Sequence, residues 1–315
     1  MNTNSEKWLK GDELRNRYRI TGTLQTVSPL HIGTGEAVQD RIPQITRSQR
    51  QGGAQKTVEV STVIKDINNK PYLPGSALKG VVRHWLLHVL QGVDKAWANH
   101  NDYESEKYTE ATQEEQLKTV KEKFSWLELL FGTPFHEGKV EFWDASCMTP
   151  SIPAADKLLH WCEASLTYVD TSVAIDPVTG TAKENLLYKA EVVPPGVTFA
   201  VNIAGQNLSE LELGLILFGL QGFNSEIYPI RVGARGGRGF GRMQLTLGGI
   251  YALEGTAAIQ NWIKDTMARI SAEQNAQALE AGYYALPVLS ENRQRELIAN
   301  VKAEFLAAMG GVSHG

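Results

Sequence analysis

The chain has little of what would place it outside a reducing, aqueous compartment. Only two cysteines occur in 315 residues, Cys147 and Cys162, and they form no C-x-x-C pair, which argues against a disulfide framework and a zinc ribbon. No apolar run approaches the roughly 18 residues that a membrane span needs, and the first nine residues are polar. Charge of one sign is scarce too: 31 Lys and Arg stand against 35 Asp and Glu, a net of −4, which excludes an indiscriminate polycation. No G-x-S-x-G, H-E-x-x-H or Walker A pattern occurs, so hydrolase, protease and P-loop readings are poor. The composition that remains, 42% hydrophobic and 21% charged, is that of a folded, soluble, cytoplasmic chain.

The near-neutral total hides a polarity. Residues 1–100 carry 14 Lys or Arg and 8 acids, a net of +6, whereas the remainder carries 17 basic and 27 acidic residues, a net of −10. A second basic spot lies inside the acidic part, where Arg231, Arg235, Arg238 and Arg242 share twelve residues without an acid. Both basic stretches contain glycines, and together they point to phosphate binding.

Residues 17–27 (RYRITGTLQTV) put Tyr18, Ile20 and Leu24 on one face and Arg17, Arg19, Thr21, Thr23 and Gln25 on the other, the period of a half-buried strand. After Pro29, H-I-G-T-G opens what reads as a long polar loop to Lys56. Residues 62–73 read as a short hairpin turning at Asn68 and Asn69. The next stretch, P-G-S-A-L-K-G-V-V-R-H-W, predicts a helix with Ser76 as N-cap, Leu78, Val81, Val82, Trp85 and Val89 inward, and Lys79 and Arg83 together outside. Residues 94–130 read as an inserted helical lid, 139–145 as a strand and 208–222 as a buried helix. Residues 198–203 and 243–253 are predicted strands, and 257–309 a helical extension broken near Gly282 and Pro287.

V-G-A-R-G-G-R-G-F-G-R, residues 232–242, is the sharpest local feature. Glycines let backbone N–H groups approach a polyanion, while the arginines supply charge and Phe240 a stacking surface. His31 sits at a strand end, where a lone histidine is more often structural than catalytic. Asp40 is an acid in an otherwise basic loop; beside RNA it could hold a metal ion or orient a ribose 2′-OH.

Taken in order, S-P-L-H-I-G-T-G, P-Y-L-P-G-S-A-L-K-G-V-V-R, I-D-P-V-T-G-T-A with V-P-P-G-V-T-F, and G-G-R-G-F-G-R resemble the CRISPR-associated RAMP superfamily, and more narrowly the backbone subunits of type III (Csm/Cmr-like) effector complexes. The resemblance covers about 17–253. It implies an α+β fold: an RRM/ferredoxin-like palm in 1–255, inserted helical fingers at about 94–135, a β-hairpin thumb at 169–193, and a helical C-terminal extension over 256–315. It implies partners as well, namely a CRISPR guide RNA, a target RNA and other subunits of the complex that are copies or paralogues of this chain. Guide phosphates would meet Arg17, Arg19, Ser76, Lys79 and Arg83, and the loop residues Arg235, Gly236, Gly237, Arg238, Gly239, Phe240 and Arg242. Many such subunits also cut target RNA with an aspartate after the first strand, using a divalent cation, Mg or Mn. The position where that acid commonly stands is occupied by Val60, so Asp40 becomes the candidate catalytic and metal-binding residue, with Glu59 second. A non-catalytic assembly or capping subunit, and a solitary repeat-processing endoribonuclease using His31 as acid or base, are the competing readings.

Overall fold

The computed structural model describes residues 7–39, 59–93, 124–133, 136–153, 160–175, 182–272 and 289–310, with a few isolated positions between them. The chain is mixed α+β. Its main sheet is antiparallel, with strands β1 (Asn16–Thr26), β5 (Val140–Phe142), β9 (Thr198–Gln206) and β10 (Met243–Glu254) in the order β10-β1-β9-β5. Helix α1 (Gly75–Gln91) follows β1, and α3 (Glu210–Gln221) follows β9. The frame is therefore strand, helix, strand, strand, helix, strand, with everything else before, between or after those six elements.

The alternation in β1 puts Tyr18, Ile20 and Leu24 into the core, as expected, and leaves Arg17 and Arg19 on the opposite face. Helix α1 covers the inner face through Leu78, Val82, Trp85, Leu86 and Leu90, an i, i+4, i+7, i+8, i+12 stripe. Val81 and Val89, expected in that stripe, lie at its edges and are half-buried. Helix α3 is apolar nearly all round because it is covered on two sides. Gly219 lets α1 approach, since a Cβ there would lie 2.8 Å from the Leu86 side chain. On another side, Gly214 abuts Val301 of α5 (Glu291–Gly310), whose Leu297 and Val301 are buried in the same core. The last helix is thus docked on the domain. Helix α4 (Gly255–Ala272) continues directly from β10 and exposes Trp262, Ile263 and Met267.

Between β1 and α1 the chain builds a second sheet. Strands β2 (Gly33–Gln39) and β3 (Glu59–Val63) pair antiparallel, and β3 runs parallel to β8 (Ala182–Val192), which pairs antiparallel with β7 (Tyr168–Ile175), in the order β2-β3-β8-β7. The expected polar loop after His31 is therefore strand as far as Gln39: glycines and a glutamate lower its β-propensity, and pairing with β3 overrides that. The hairpin expected at 169–193 is present as the antiparallel β7–β8 pair. The turn at Asn68 and Asn69 is present, with Asn69 at φ +60° and the Asn68 and Lys70 N–H groups both donating to Asp66 Oδ1. Strand β4 (Tyr72–Leu73) pairs with β6 (Ala145–Ser146), so the expected strand at 139–145 is broken in two. Short α2 (Trp126–Phe131) closes the core under a Ser125–Glu128 capping box.

Candidate functional site

The glycine-rich segment folds as a tight hairpin bound to the chain that leaves β1. Arg231 bridges Arg242, and the Val232 N–H donates to the Gly241 carbonyl at 2.9 Å. The Gly241 N–H reaches the Pro29 carbonyl (2.8 Å), the Ala234 N–H the His31 carbonyl (2.9 Å), and the Arg242 N–H the Ser28 hydroxyl (3.0 Å). A 3-10 turn, Gly236–Arg238, forms the tip. Gly241 has φ +77°, and a Cβ there would lie 2.1 Å from the Val232 carbonyl oxygen, so only glycine fits. Gly237 differs: its φ is ordinary and nothing lies within 4 Å of an added Cβ, so neither packing nor backbone strain accounts for it.

The arginines of this hairpin divide. Arg231, Arg238 and Arg242 are exposed. Arg235 is half-buried at φ +66° and pairs with Asp170 at 3.4 Å, tying the hairpin to the base of β7. Phe240 is half-buried, and its carbonyl accepts from Arg231 at 3.4 Å.

His31 lies beneath the hairpin at 4% exposure. Its Nδ1 lies 2.7 Å from the Glu191 carbonyl, which only accepts, so Nδ1 carries the proton. In the neutral ring, Nε2 then accepts from the Ser61 hydroxyl at 3.2 Å. Both nitrogens are engaged within the chain. Glu191 gathers the neighbourhood further, its carboxylate accepting from the Val63 N–H (3.0 Å) and the Thr167 hydroxyl (2.7 Å) and pairing with Lys65 (2.6 Å). The hairpin, β3, β7 and β8 thus converge on two polar residues, a convergence that no local pattern in the sequence signals.

At the other basic stretch, Pro74 is the N-cap of α1 and Ser76 stands exposed in the first turn, which corrects its expected capping role. The Gly75 N–H already donates to Asp144 Oδ1 at 2.8 Å, and a Cβ at Gly75 would strike the Phe142 carbonyl oxygen at 2.0 Å. That contact fixes the helix start against the break between β5 and β6. Along the outer side, Ser76 and Gly80 are exposed, with Lys79 and Arg83 half-buried beside them. Burial pushes the Lys79 ammonium below its usual range, and the neighbouring Arg83 adds to this.

On the main sheet's open face, Arg17 is already paired, its guanidinium donating to both Glu141 oxygens at 3.4 and 3.2 Å. Burial would raise the Glu141 carboxyl, but Arg17 and Lys10 hold it below the usual carboxylate range. Among the described residues no carboxylate pairs with Arg19.

Asp40 lies outside the described residues. Glu59 opens β3, opposite Gln39, the last residue of β2. Among the described residues no group of three or more His, Cys, Asp or Glu could hold a metal ion, and no helix is long and apolar enough to cross a membrane. The two cysteines are unpaired, Cys147 half-buried and Cys162 exposed.

These features define an α+β scaffold that presents an arginine-bearing hairpin, hydrogen-bonded to the chain leaving β1, and a helix with Lys79 and Arg83 on its outer side. The family model of the RAMP superfamily matches residues 23–244, more than two thirds of the chain, and the protein belongs to that superfamily. Membership carries a CRISPR-associated, RNA-binding role. No curated protein matches the chain.

Proposed function

We propose that this chain is a guide-RNA-binding backbone subunit of a type III CRISPR interference complex, and that it cuts target RNA from Asp40. The observation that carries the reading is the glycine-rich hairpin, anchored at Pro29 and His31 and carrying three exposed arginines, in a chain of this superfamily. Such a hairpin holds phosphates without reading bases, which suits a subunit that must accept any guide. In this reading the β10-β1-β9-β5 sheet with α1 and α3 is the ferredoxin-like palm, the β7–β8 hairpin the thumb, and 94–135 the fingers. Its partners are guide RNA, target RNA and neighbouring copies or paralogues, in the cytoplasm. A carboxylate is a hard oxygen donor of the kind Mg or Mn takes, and Asp40 would hold that ion with RNA oxygens completing its shell. When bound, the ion supplies charge stabilisation at the scissile phosphate.

Changing Arg231, Arg238 and Arg242 to Gln together should weaken guide binding tenfold to a hundredfold and flatten the log–log salt dependence by about 2, since each phosphate contact on a single strand contributes about 0.7. An unaltered slope, read by filter binding across a salt series, would remove the hairpin from the RNA path. The glycines sharpen the test. Gly241→Ala should destabilise the fold by about 1–3 kcal/mol. Gly237→Ala should leave the melting temperature level or slightly higher while still lowering RNA affinity, because the added methyl meets only the ligand.

A capping role in the same complex is favoured by one observation: the family match ends at 244, yet α5 is buried against α3. Native mass spectrometry of the assembled complex separates the two, a repeated backbone giving several copies and a cap giving one.

A further inference from the structure

The open face of the main sheet holds an arrangement that the hairpin and α1 do not explain. Arg19 projects from β1 between two aromatic rings, 5.8 Å from the Trp143 centroid and 5.4 Å from the Tyr251 centroid. Its Nε donates to Asn202 Oδ1 at 3.2 Å, and among the described residues no carboxylate pairs with it. Its neighbour on the same face, Arg17, is fully occupied by Glu141 and Gln206. The surroundings look built to hold this cluster. The bulge in β10 opposite Thr21 puts two glycines there, and a Cβ at Gly249 would meet the Tyr251 ring at 3.2 Å, so glycine lets that ring lie along the sheet. Thr21 fixes the bulge, accepting from the Gly249 N–H at 3.0 Å and donating to its carbonyl at 3.2 Å. Trp143 is held by its own N–H on the Asn202 carbonyl (3.0 Å) and is 39% exposed. Beyond the cluster the face is low and polar, with Thr23, Ala200, Thr246, Gln25 and Gln244.

We infer that this face is a second RNA contact, binding one nucleotide of a single strand: the base stacks on Trp143 and the phosphate meets the terminal nitrogens of Arg19. The inference rests on the RNA-binding reading for its class of ligand, but not on the hairpin. Three features of the cluster support it. An exposed indole offers a stacking plane that accepts any base. A guanidinium whose orientation is fixed by two rings and one amide, and whose charge no described carboxylate compensates, is preorganised for a phosphate oxygen. With Oδ1 occupied by Arg19, the Asn202 amide keeps its N–H₂ as a donor for a base. The central strands β1 and β9 put no aromatic on this face, so the stacking plane comes from the chain end of β5 and from β10.

The probe is a six-nucleotide oligouridylate, titrated by fluorescence into the wild type, Arg19→Gln, Trp143→Ala and the hairpin triple variant. Each face variant should weaken hexamer binding about fivefold to a hundredfold with an unchanged melting temperature, while the hairpin variant retains the Trp143 quenching. A photocrosslink from 5-iodouridine should map to Trp143 or Tyr251, which keeps the test open if Trp143→Ala fails to fold. Unchanged affinity in both face variants, with the wild type binding and no crosslink at either aromatic, overturns the inference and leaves the RNA reading standing. Altered sedimentation with unaltered RNA affinity also overturns it and makes the face a protein contact. Failure of the wild type to bind any RNA overturns both.

Discussion

Replacing Lys139 with methionine is expected to destabilise the protein by about 3–5 kcal/mol. Lys139 donates to both oxygens of Glu212 at 2.7 Å, and neither side chain has any exposure. Glu212 also accepts from the Ser209 N–H (2.9 Å) and hydroxyl (3.2 Å), closing the capping box of α3. Burial pushes the lysine down and the carboxyl up, and their mutual attraction opposes both effects. Without the ammonium, the carboxylate either stays charged without compensation or takes up a proton, and both cost stability. The lysine backbone sits between α2 and β9, receiving the Gln206 N–H and donating to Leu130, so the pair ties the edge strand to the helix start. Urea unfolding measures the loss. The double variant Lys139→Met, Glu212→Leu should recover most of it, short of roughly 1 kcal/mol for the lost cap. A single-variant loss below about 1 kcal/mol would mean that water reaches the pair.

How much of this was legible in the sequence depended on whether a signal was local. The β1 alternation, the α1 helix, the Asn68–Asn69 turn and the buried α3 each follow from spacing within one segment, and the structure contains all four, with Leu86 and Leu90 in place of Val81 and Val89 in the α1 stripe. The two capping boxes are local signals of the same kind, S-W-L-E and S-E-L-E. What sequence concealed is pairing between distant segments. Gly33 to Gln39 becomes strand only because β3 lies beside it, and the break after Phe142 exists because Asp144 takes the first N–H of a helix 69 residues earlier. Basic residues were legible as a class but not by task. Arg17 and Arg235 are bound in ion pairs, Arg19 stands between rings, and Arg231 and Arg242 face outward, distinctions set by partners more than 60 residues away for three of the five.

Asp40→Ala should abolish target cleavage at this subunit, by a factor of about 10³ or more, while guide binding stays within about twofold of the wild type. The separation follows from charge. The hairpin and α1 carry the basic groups, and removing an acid from a basic loop weakens no phosphate contact, so affinity should hold or rise slightly. Cleavage by 2′-OH attack needs the attacking ribose in line with the phosphate and a charge counterweight as it reacts, and a cation held by the Asp40 carboxylate would supply the latter. Asp40→Asn keeps the size and loses the charge, and should be as inactive as alanine, since a neutral amide is a far weaker ligand for Mg or Mn. Glu59→Gln separates the candidates, since Glu59 is the other acid assigned to the cut and stands in β3, opposite Gln39. Full cleavage in Glu59→Gln together with none in Asp40→Ala assigns the role to Asp40, and the reverse pattern transfers it. Unchanged cutting in both, measured on assembled complexes with guide and end-labelled target RNA, would leave the guide-holding role intact and make this subunit non-catalytic.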